Sequence, residues 1–559
     1  MLRLKNNYIV VIYVLIFYLL NSCGTNKSKS ELSEFEKHPL DTSKIVEIND
    51  FLSFKGNSSL RKNKHEQWEL VAFGNPINIG NTIGELSKEL IIKQEDIFFT
   101  KVKQLVPSKF KQDLLNKFLA NYTRKMNSYI KDEYKAEIYG ISRYNSDKYN
   151  YIAKKYTRSL YLHSAHDIGH AFQDLALVGC SSFASWGDNT EDGNLLIARN
   201  FDFYVGDDFA EEKVISFIHP ENGYKFMTVS WAGMIGVMSG MNDQGLTVTI
   251  NAGKSSIPYL AKTPISLVAR EIVQYASNIE EAIRIAKQKE VFVSESIMVG
   301  SVSDNKAVLI EISPEKFDVF AMENSSQLIC SNHFQGEVYK NDKKNLKHIE
   351  ESHSKYRYDR MQELLNESNK LNPKKAVSIL RNRQGLNNIE IGYGNEKALN
   401  QLLAHHGIVF QPQKKMVWVS SNPYQLGAFT AYQLDSVFKN FNKKSITLSL
   451  PQYLIEKDSF IDSREFNNYE KYRIEKRNIE GDIASNENIS KEKLNTFKSL
   501  NPDSWDVYFL AGKYYYQKKF YKEALIEFES SISKEITTVN EKEVIESYIK
   551  KTKRKLNDS

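Results

Sequence analysis

The chain is poor in cysteine: its 559 residues carry three, Cys23, Cys180 and Cys330, and no two of them stand in a C-x-x-C spacing. Dithiol redox centres and zinc ribbons need closely spaced thiols, so both readings lose support. A strong charge of one sign is also missing. The 75 basic residues oppose 69 acidic ones for a net charge of +6 spread along the chain, and no ladder of basic and aromatic residues accompanies them. That balance speaks against a nucleic-acid binder. The apolar run from Tyr8 to Leu20 is short for a helix that spans a bilayer.

What is present centres on one thiol. Cys180 lies in Gly179-Cys180-Ser181-Ser182-Phe183-Ala184 and is followed, across what reads as a β-hairpin, by Arg199-Asn200-Phe201-Asp202. A guanidinium beside a thiol favours thiolate, and an aspartate orients a protonated amine that shuttles the proton. No histidine occurs in the hairpin to serve as base. A cut between Gly179 and Cys180 would supply one, because the new α-amino group, with an unperturbed pKa of about 7.7 to 8.0, can deprotonate its own thiol. Gly179 has no Cβ and so tolerates the strained backbone expected at such a cut. A Cys180–Cys330 disulfide is the bland alternative, and the surroundings of both thiols suit a catalytic site better.

The N-terminus reads as a targeting segment. Arg3 and Lys5 precede the apolar run, which ends in Leu20-Asn21-Ser22-Cys23 and resembles a bacterial lipobox. Residues 1–22 are expected to be a lipoprotein signal peptide, Cys23 the lipidated residue, and 23–45 a flexible Ser/Lys/Glu-rich tether. The expected location is the bacterial cell envelope, lipid-anchored at an outer-membrane, periplasmic or surface face. A plain signal anchor with an incidental cysteine is the alternative.

Residues 46–179 are read as a mainly helical pre-domain, with apolar positions at three and four spacing from about 80 onward. From Cys180 the period switches to strand. Asp188 to Asn194 and Asn242-Asp243-Gln244-Gly245 close hairpins, and Leu246 to Asn251 alternates so that Thr247, Thr249 and Asn251 share one face. A helical pair at about 264 to 289 carries Asn278 and Glu281 at capping-box spacing. Short strands follow to about 330, then helices around 356–365 and 375–380, then strands at 408–410 and 416–419. Helix layers with antiparallel sheets make an α+β sandwich over 180–450. The polar stretch 451–500 is read as a linker. In 501–559, Tyr508, Ala511, Gly512, Tyr515, Ala524 and Phe528 match a tetratricopeptide unit, which must lean on the enzyme body or on a protein partner.

The run Cys180-Ser-Ser-Phe-Ala-Ser-Trp-Gly-Asp-Asn followed by Leu196-Ile-Ala-Arg-Asn-Phe-Asp-Phe203 resembles the N-terminal-nucleophile hydrolases of the acyl-coenzyme A:6-aminopenicillanic acid acyltransferase family, relatives of bile-salt hydrolases, penicillin V acylases and acid-ceramidase-like amidases. The resemblance covers about 175 to 430. It implies a four-layer αββα sandwich and autoproteolysis before Cys180. By the same resemblance Cys180 is the nucleophile, Arg199 and Asp202 position and polarise it, Asn251 helps bind the oxyanion, and Asn332 in Cys330-Ser-Asn-His is the second asparagine. Arg357 matches a later arginine, with Arg360 as its rival. Ser181 stands where the family commonly has threonine. Arg199 and Asp202 would face opposite ways in a regular strand, so a bend near Phe201 is expected.

The implied enzyme is an autoproteolytic cysteine hydrolase cleaving the linear amide of a small N-acyl substrate through a thioester, with no cofactor. Transfer of the acyl group to an amine acceptor is a close alternative, and a non-catalytic binding lipoprotein using its tetratricopeptide-like tail is a distant one. His163, His166 and His170 stand at helical spacing around Asp167, and packing is favoured there over a metal. His405-His406 reads as loop or core, and Asp207-Asp208 with Glu211-Glu212 as a solvated loop.

Overall fold

The computed structural model describes residues 35, 39–165, 167, 179–255, 258, 260–443 and 447–558. The proposed signal peptide, Cys23, most of the tether, His166 and His170 lie outside the described residues. Among the described residues no helix is long and apolar enough to cross a membrane.

The strands are β1 Ile45–Asn49, β2 Leu52–Lys55, β3 Ser58–Lys62, β4 Trp68–Gly74, β5 Ser181–Ser185, β6 Leu196–Phe201, β7 Val214–Pro220, β8 Phe226–Ser230, β9 Ser239–Asn242, β10 Leu246–Ala252, β11 Glu295–Ser301, β12 Lys306–Ile312, β13 Phe317–Phe320, β14 Gln327–Cys330, β15 His406–Gln411, β16 Met416–Ser420 and β17 Phe429–Gln433. They form an eleven-stranded sheet in the order β1-β2-β3-β4-β7-β8-β9-β10-β11-β12-β13 and a six-stranded sheet in the order β14-β5-β6-β15-β16-β17. Pairing is antiparallel except between β4 and β7.

Side-chain alternation sorts these strands into layers. Leu246, Val248 and Ile250 of β10 pack with Ile79 and Ile83 of the helix Pro76–Leu86 and with Leu267 and Ile272 of the helix Ile265–Tyr275. Met227 of β8 and Met298 of β11 point the other way, against Ile197, Ile408, Phe410 and Val417 of the smaller sheet. Phe183, Ala198, Val409 and Trp418 on that sheet's far face meet Met361 and Leu365 of the helix Ser354–Glu367 and Val377 and Leu380 of the helix Pro373–Leu380. The order is helix, sheet, sheet, helix, the α+β architecture expected. Each buried aliphatic contributes about 1.5 to 3 kcal/mol relative to exposure, so a strand with two covered faces is held in register from both sides.

Local signals agree with the elements found. The segments from Asp188 and from Asn242 close the β5–β6 and β9–β10 pairs, and Asn278 Oδ1 accepts from the Glu281 N–H at 2.9 Å to cap the helix Ile279–Lys287.

Three expectations change. Residues 45–74, taken as the start of a helical pre-domain, are four strands that extend the large sheet, so the segment before Cys180 is not a separate body. Its helices then pack on that sheet. Pro76–Leu86 and Asp132–Ser142 cross so closely that a Cβ on Gly80 would fall 2.1 Å from the Glu137 carbonyl oxygen and one on Gly140 would fall 2.5 Å from the Asn81 nitrogen. The supposed linker 451–500 contains the helices Arg464–Ala484 and Lys491–Leu500, because Phe466, Tyr469, Tyr472 and Ile479 recur on one face and bury against Leu402, Leu426 and Val507. The tail forms the helices Trp505–Gln517, Tyr521–Ile532 and Val539–Asn557, and it leans on the body through Lys397–Glu535 at 2.5 Å and paired bonds between Asn501 and Tyr393. Third, β13, β17 and the helix Leu434–Asn440 are additions to the sequence reading.

Candidate active site

Cys180 stands just before β5, with no exposed surface, and both it and Cys330 are free thiols. β5 pairs with β6 so that Ser182 faces Arg199, which sets the guanidinium beside the thiol: Arg199 Nη2 lies 3.4 Å from Cys180 Sγ. The guanidinium is held by the Met238 carbonyl and Ser239 Oγ, both at 2.6 Å, and by the Ile250 carbonyl, and it stacks 4.5 Å from the Phe201 ring centroid. β6 ends at Phe201, so Asp202 leaves the strand register. Its backbone N–H donates to Sγ and its carbonyl accepts from the Gly179 N–H at 3.2 Å.

The electrostatics are those of a closed site. Burial pushes the Cys180 thiol up, and the lowering by Arg199 does not overcome it, contrary to the simple expectation that a neighbouring arginine depresses a thiol. Burial likewise pushes the Asp202 carboxyl up to about 8, against the opposing pull of Arg357 and Arg199. Both Asp202 carboxyl oxygens are buried without a hydrogen-bond partner. Orphaned buried oxygens are rare, and each one calls for an explanation.

The remaining candidates converge on the same segment. Arg357 donates through Nη1 to the Cys180 carbonyl at 2.6 Å and to Ser181 Oγ at 2.9 Å, and through Nη2 to Asn332 Oδ1 at 2.6 Å. Behind it, Arg357 Nε meets His353 Nδ1 at 3.2 Å, and His353 Nε2 lies 3.3 Å from Glu396. Asn251 accepts from Ser182 Oγ at 2.6 Å, while its Nδ2 is spent on the carbonyls of Cys330 and Ser331 at 3.1 and 3.2 Å. Asn332 Nδ2 donates to the Ala252 carbonyl at 3.0 Å. Arg360 points elsewhere, to Glu363 at 2.7 Å and to the side chains of Asn382 and Asn388.

Gln401 escaped the sequence reading, and His406, read there as loop or core, is buried core with a place at the site. Gln401 Nε2 donates to the Gly179 carbonyl at 3.0 Å from 222 positions along the chain. His406 Nε2 lies 2.9 Å from Ser239 Oγ and so backs the hydroxyl that holds Arg199, with His405 Nδ1 a further 2.9 Å away. Neither residue sits in a motif. The role of Gly179 also changes: its φ lies outside the left-handed region, and a Cβ there would fall 2.6 Å from Gln401 Nε2, so the glycine admits a close approach rather than a strained turn. His163 packs, accepting from the Ile235 N–H at 3.0 Å with its other nitrogen on the Ser159 carbonyl at 2.7 Å. Among the described residues no group of three potential metal ligands occurs. The expected solvated acidic loop is part-engaged, since Glu212 takes Lys93 at 2.9 Å and Trp68 Nε1 at 2.5 Å.

Residues 189–423, less than half of the chain, match the family model described as acyl-coenzyme A:6-aminopenicillanic acid acyl-transferase, and the chain is similar to that family over this central part. Arg199, Asp202, Asn251, Asn332 and Arg357 fall inside the match, and Cys180 falls before it. An uncharacterized protein of Archaeoglobus fulgidus is 29% identical over 157 residues, 27% of this chain and 26% of that protein. Protein dcd1A of Dictyostelium discoideum is 23% identical over 271 residues, 44% of this chain and 59% of that protein. The chain thus spans less than two thirds of the length of these curated relatives. Among solved structures, the Caenorhabditis elegans N-acylethanolamine-hydrolyzing acid amidase ortholog aligns with 42% of this chain and 93% of its own at 17% identity and a TM-score of 0.30.

Proposed function

We propose that the protein is a cysteine N-terminal-nucleophile hydrolase that cuts itself between Gly179 and Cys180 and then cleaves the linear amide of a small N-acyl substrate through a thioester. The observation that carries this reading is a thiol in contact with a guanidinium, in a chain whose carbonyls on both sides of the Gly179–Cys180 bond are gripped by side chains, Gln401 on one and Arg357 on the other.

Fully buried Cys180 offers no path to an external amide in the uncut chain. Scission would free its nitrogen as an amine, and a buried carboxyl without a partner, that of Asp202, is the group that such a cation would satisfy. In turnover the thiol gives its proton to this amine, sulfur attacks the substrate carbonyl, and the ammonium returns the proton to the departing amine. Water then releases the acid from the thioester. An amine in place of water gives acyl transfer, the activity in the family's name.

Arg199 supports the thiolate. Asn251 is the proposed oxyanion donor in turnover, which requires its Nδ2 to leave the Cys330 and Ser331 carbonyls once the site opens. A cleft of about 490 Å³ lined by Ile97, Lys101, Tyr204, Val205 and Asp208 begins two residues past Asp202 and is the proposed approach for substrate. Lipidation at Cys23 and residence in the bacterial cell envelope are part of the proposal, resting on residues 1–23 alone.

Intact mass and N-terminal sequencing of wild type and Cys180→Ala test the reading, together with amine release from N-acyl amino acids, bile-salt conjugates, penicillin V and long-chain N-acyl amines. A new N-terminus at Cys180 and amine release are expected from wild type only. An uncut wild-type chain that binds a partner through 501–559 would favour the binding lipoprotein instead, and amine release by Cys180→Ala would defeat the mechanism.

A further inference from the structure

We infer that Gln401 is the oxyanion donor of the self-cleavage step: its Nε2–H binds the Gly179 carbonyl oxygen as negative charge develops on it. This assignment rests on the self-processing reading above and adds the residue that would make the scissile bond reactive.

Donor supply around the bond decides the matter. Asn251, the family-style candidate, has both Nδ2 hydrogens committed to the Cys330 and Ser331 carbonyls in the uncut chain, and Asn332 Nδ2 is on Ala252. Arg357 grips the carbonyl of Cys180, one peptide too far along. Gln401 Nε2, at 3.0 Å, is the side-chain donor found on the carbonyl that must be attacked. It is 2% exposed, so its dipole acts where water does not compete.

Its placement is held from both sides. Asn400 Oδ1 accepts from the Leu402 N–H at 3.0 Å, and Asn200, next to Arg199 on β6, donates to the Leu399 carbonyl at 2.9 Å. Leu402 has a φ of +53°, unfavourable for a leucine, and is buried among Tyr469, Phe497 and Val507 of the C-terminal helices. The helices Arg464–Ala484, Lys491–Leu500 and Trp505–Gln517 therefore fix the residue that follows the donor. Gly179 fits the same logic, since any Cβ would press on the Gln401 amide.

In the step itself Cys180 Sγ forms a bond to the Gly179 carbonyl carbon, and the carbonyl π pair moves onto the oxygen held by Gln401. The thiol proton passes to the Cys180 nitrogen, the C–N bond breaks as the carbonyl re-forms, and a thioester and a free amine result. Water adds to the thioester and the C–S bond breaks, leaving the Gly179 carboxylate and regenerating the thiol. One water is consumed and no redox change occurs.

The test follows cleavage of freshly made full-length chain by intact mass. Gln401→Leu is expected to slow cleavage by about 10² to 10³-fold. Gln401→Glu should be slow at pH 8 and recover relative to wild type as the pH falls toward 5, because a protonated carboxyl regains a donor; a packing role would not produce this recovery. Gly179→Ala should slow cleavage too, and adding Gln401→Leu to it should cost little more. If wild type is cut and Cys180→Ala is not, yet Gln401→Leu is cut at the wild-type rate or Gln401→Glu shows no recovery, the Gln401 assignment falls alone. If wild type is never cut, the self-processing reading falls and takes this assignment with it.

Discussion

Six arginines among the described residues are almost wholly buried, and four of them, Arg158, Arg270, Arg199 and Arg357, divide into two kinds. On the outer face of the large sheet, Arg158 meets Glu95 at 3.1 Å and Arg270 meets Glu137 at 2.9 Å. At the thiol, Arg199 and Arg357 meet carbonyls, hydroxyls, an amide oxygen, a ring nitrogen and a sulfur, and among the described residues no carboxylate lies within ion-pair distance of either. The nearby Asp202 is pushed up to about 8 by burial, so near neutral pH it brings little charge to offset them. A buried cation is expensive without an anion. The first pair of arginines is neutralised for the sake of the fold; the second is left short of negative charge where a thiolate and an oxyanion would form.

The largest expected effect tests the structural kind. Glu137→Leu strands Arg270 in the core and should cost about 3 to 5 kcal/mol in urea unfolding, and adding Arg270→Met should restore most of it. Measured on the uncut Cys180→Ala chain, a loss under about 1 kcal/mol would erase the contrast.

Arg199→Met should behave in the opposite way. Unfolding of the uncut chain should change by no more than about 1 kcal/mol, because the substitution removes an uncompensated charge along with its bonds. Cleavage and amide turnover should fall by about 10² to 10³-fold, about 3 to 4 kcal/mol on the barrier. A variant as unstable as Glu137→Leu would show that Arg199 is another structural arginine.

Asp202 sharpens the comparison through pH. Between an unfolded value near 3.8 and a native value of about 8, the native state holds a proton that the unfolded chain has released. Stability of the uncut chain should therefore fall as pH rises through that window, by up to about 1.4 kcal/mol per pH unit. Asp202→Asn should remove this part of the slope. In cut protein the new ammonium should hold the Asp202 carboxylate ionised and abolish it; equal slopes in cut and uncut protein would mean that the amine does not reach Asp202.

How much of this was open to a reader of the sequence depended on distance along the chain. The β5–β6 hairpin, the Asn242 turn, the Asn278 cap and the alternation of β10 are short-range, and the residues themselves announce them. The parallel pairing of β4 with β7 joins Val71 to Phe217, and nothing local marks 45–74 as sheet. The helix Arg464–Ala484 hid among charges, because Tyr469 and Tyr472 find their apolar partners in remote Leu402 and Leu426. At the site, Arg199 and Asp202 were readable beside Cys180, whereas Gln401 reaches Gly179 only through the fold.

The smallest expected effect separates Arg357 from Arg360, one helical turn apart on Ser354–Glu367 and both fully buried. Sequence spacing leaves them rivals. A step of three residues rotates a side chain by about 300°, enough to keep both on the covered face while aiming one at the Cys180 carbonyl and the other at Asn382 and Asn388. Arg360 also has an acidic partner, Glu363, with a fifth of its surface exposed, which places it with the structural kind. Arg360→Lys should therefore lower stability by about 1 kcal/mol or less and leave the cleavage rate unchanged. Arg357→Lys cannot span the Cys180 carbonyl, Ser181 and Asn332 at once, and should slow cleavage without a matching loss of stability. The reverse result, slow cleavage in Arg360→Lys with Arg357→Lys normal, would move the site's second guanidinium one turn along the helix and with it the account of which carbonyl is held.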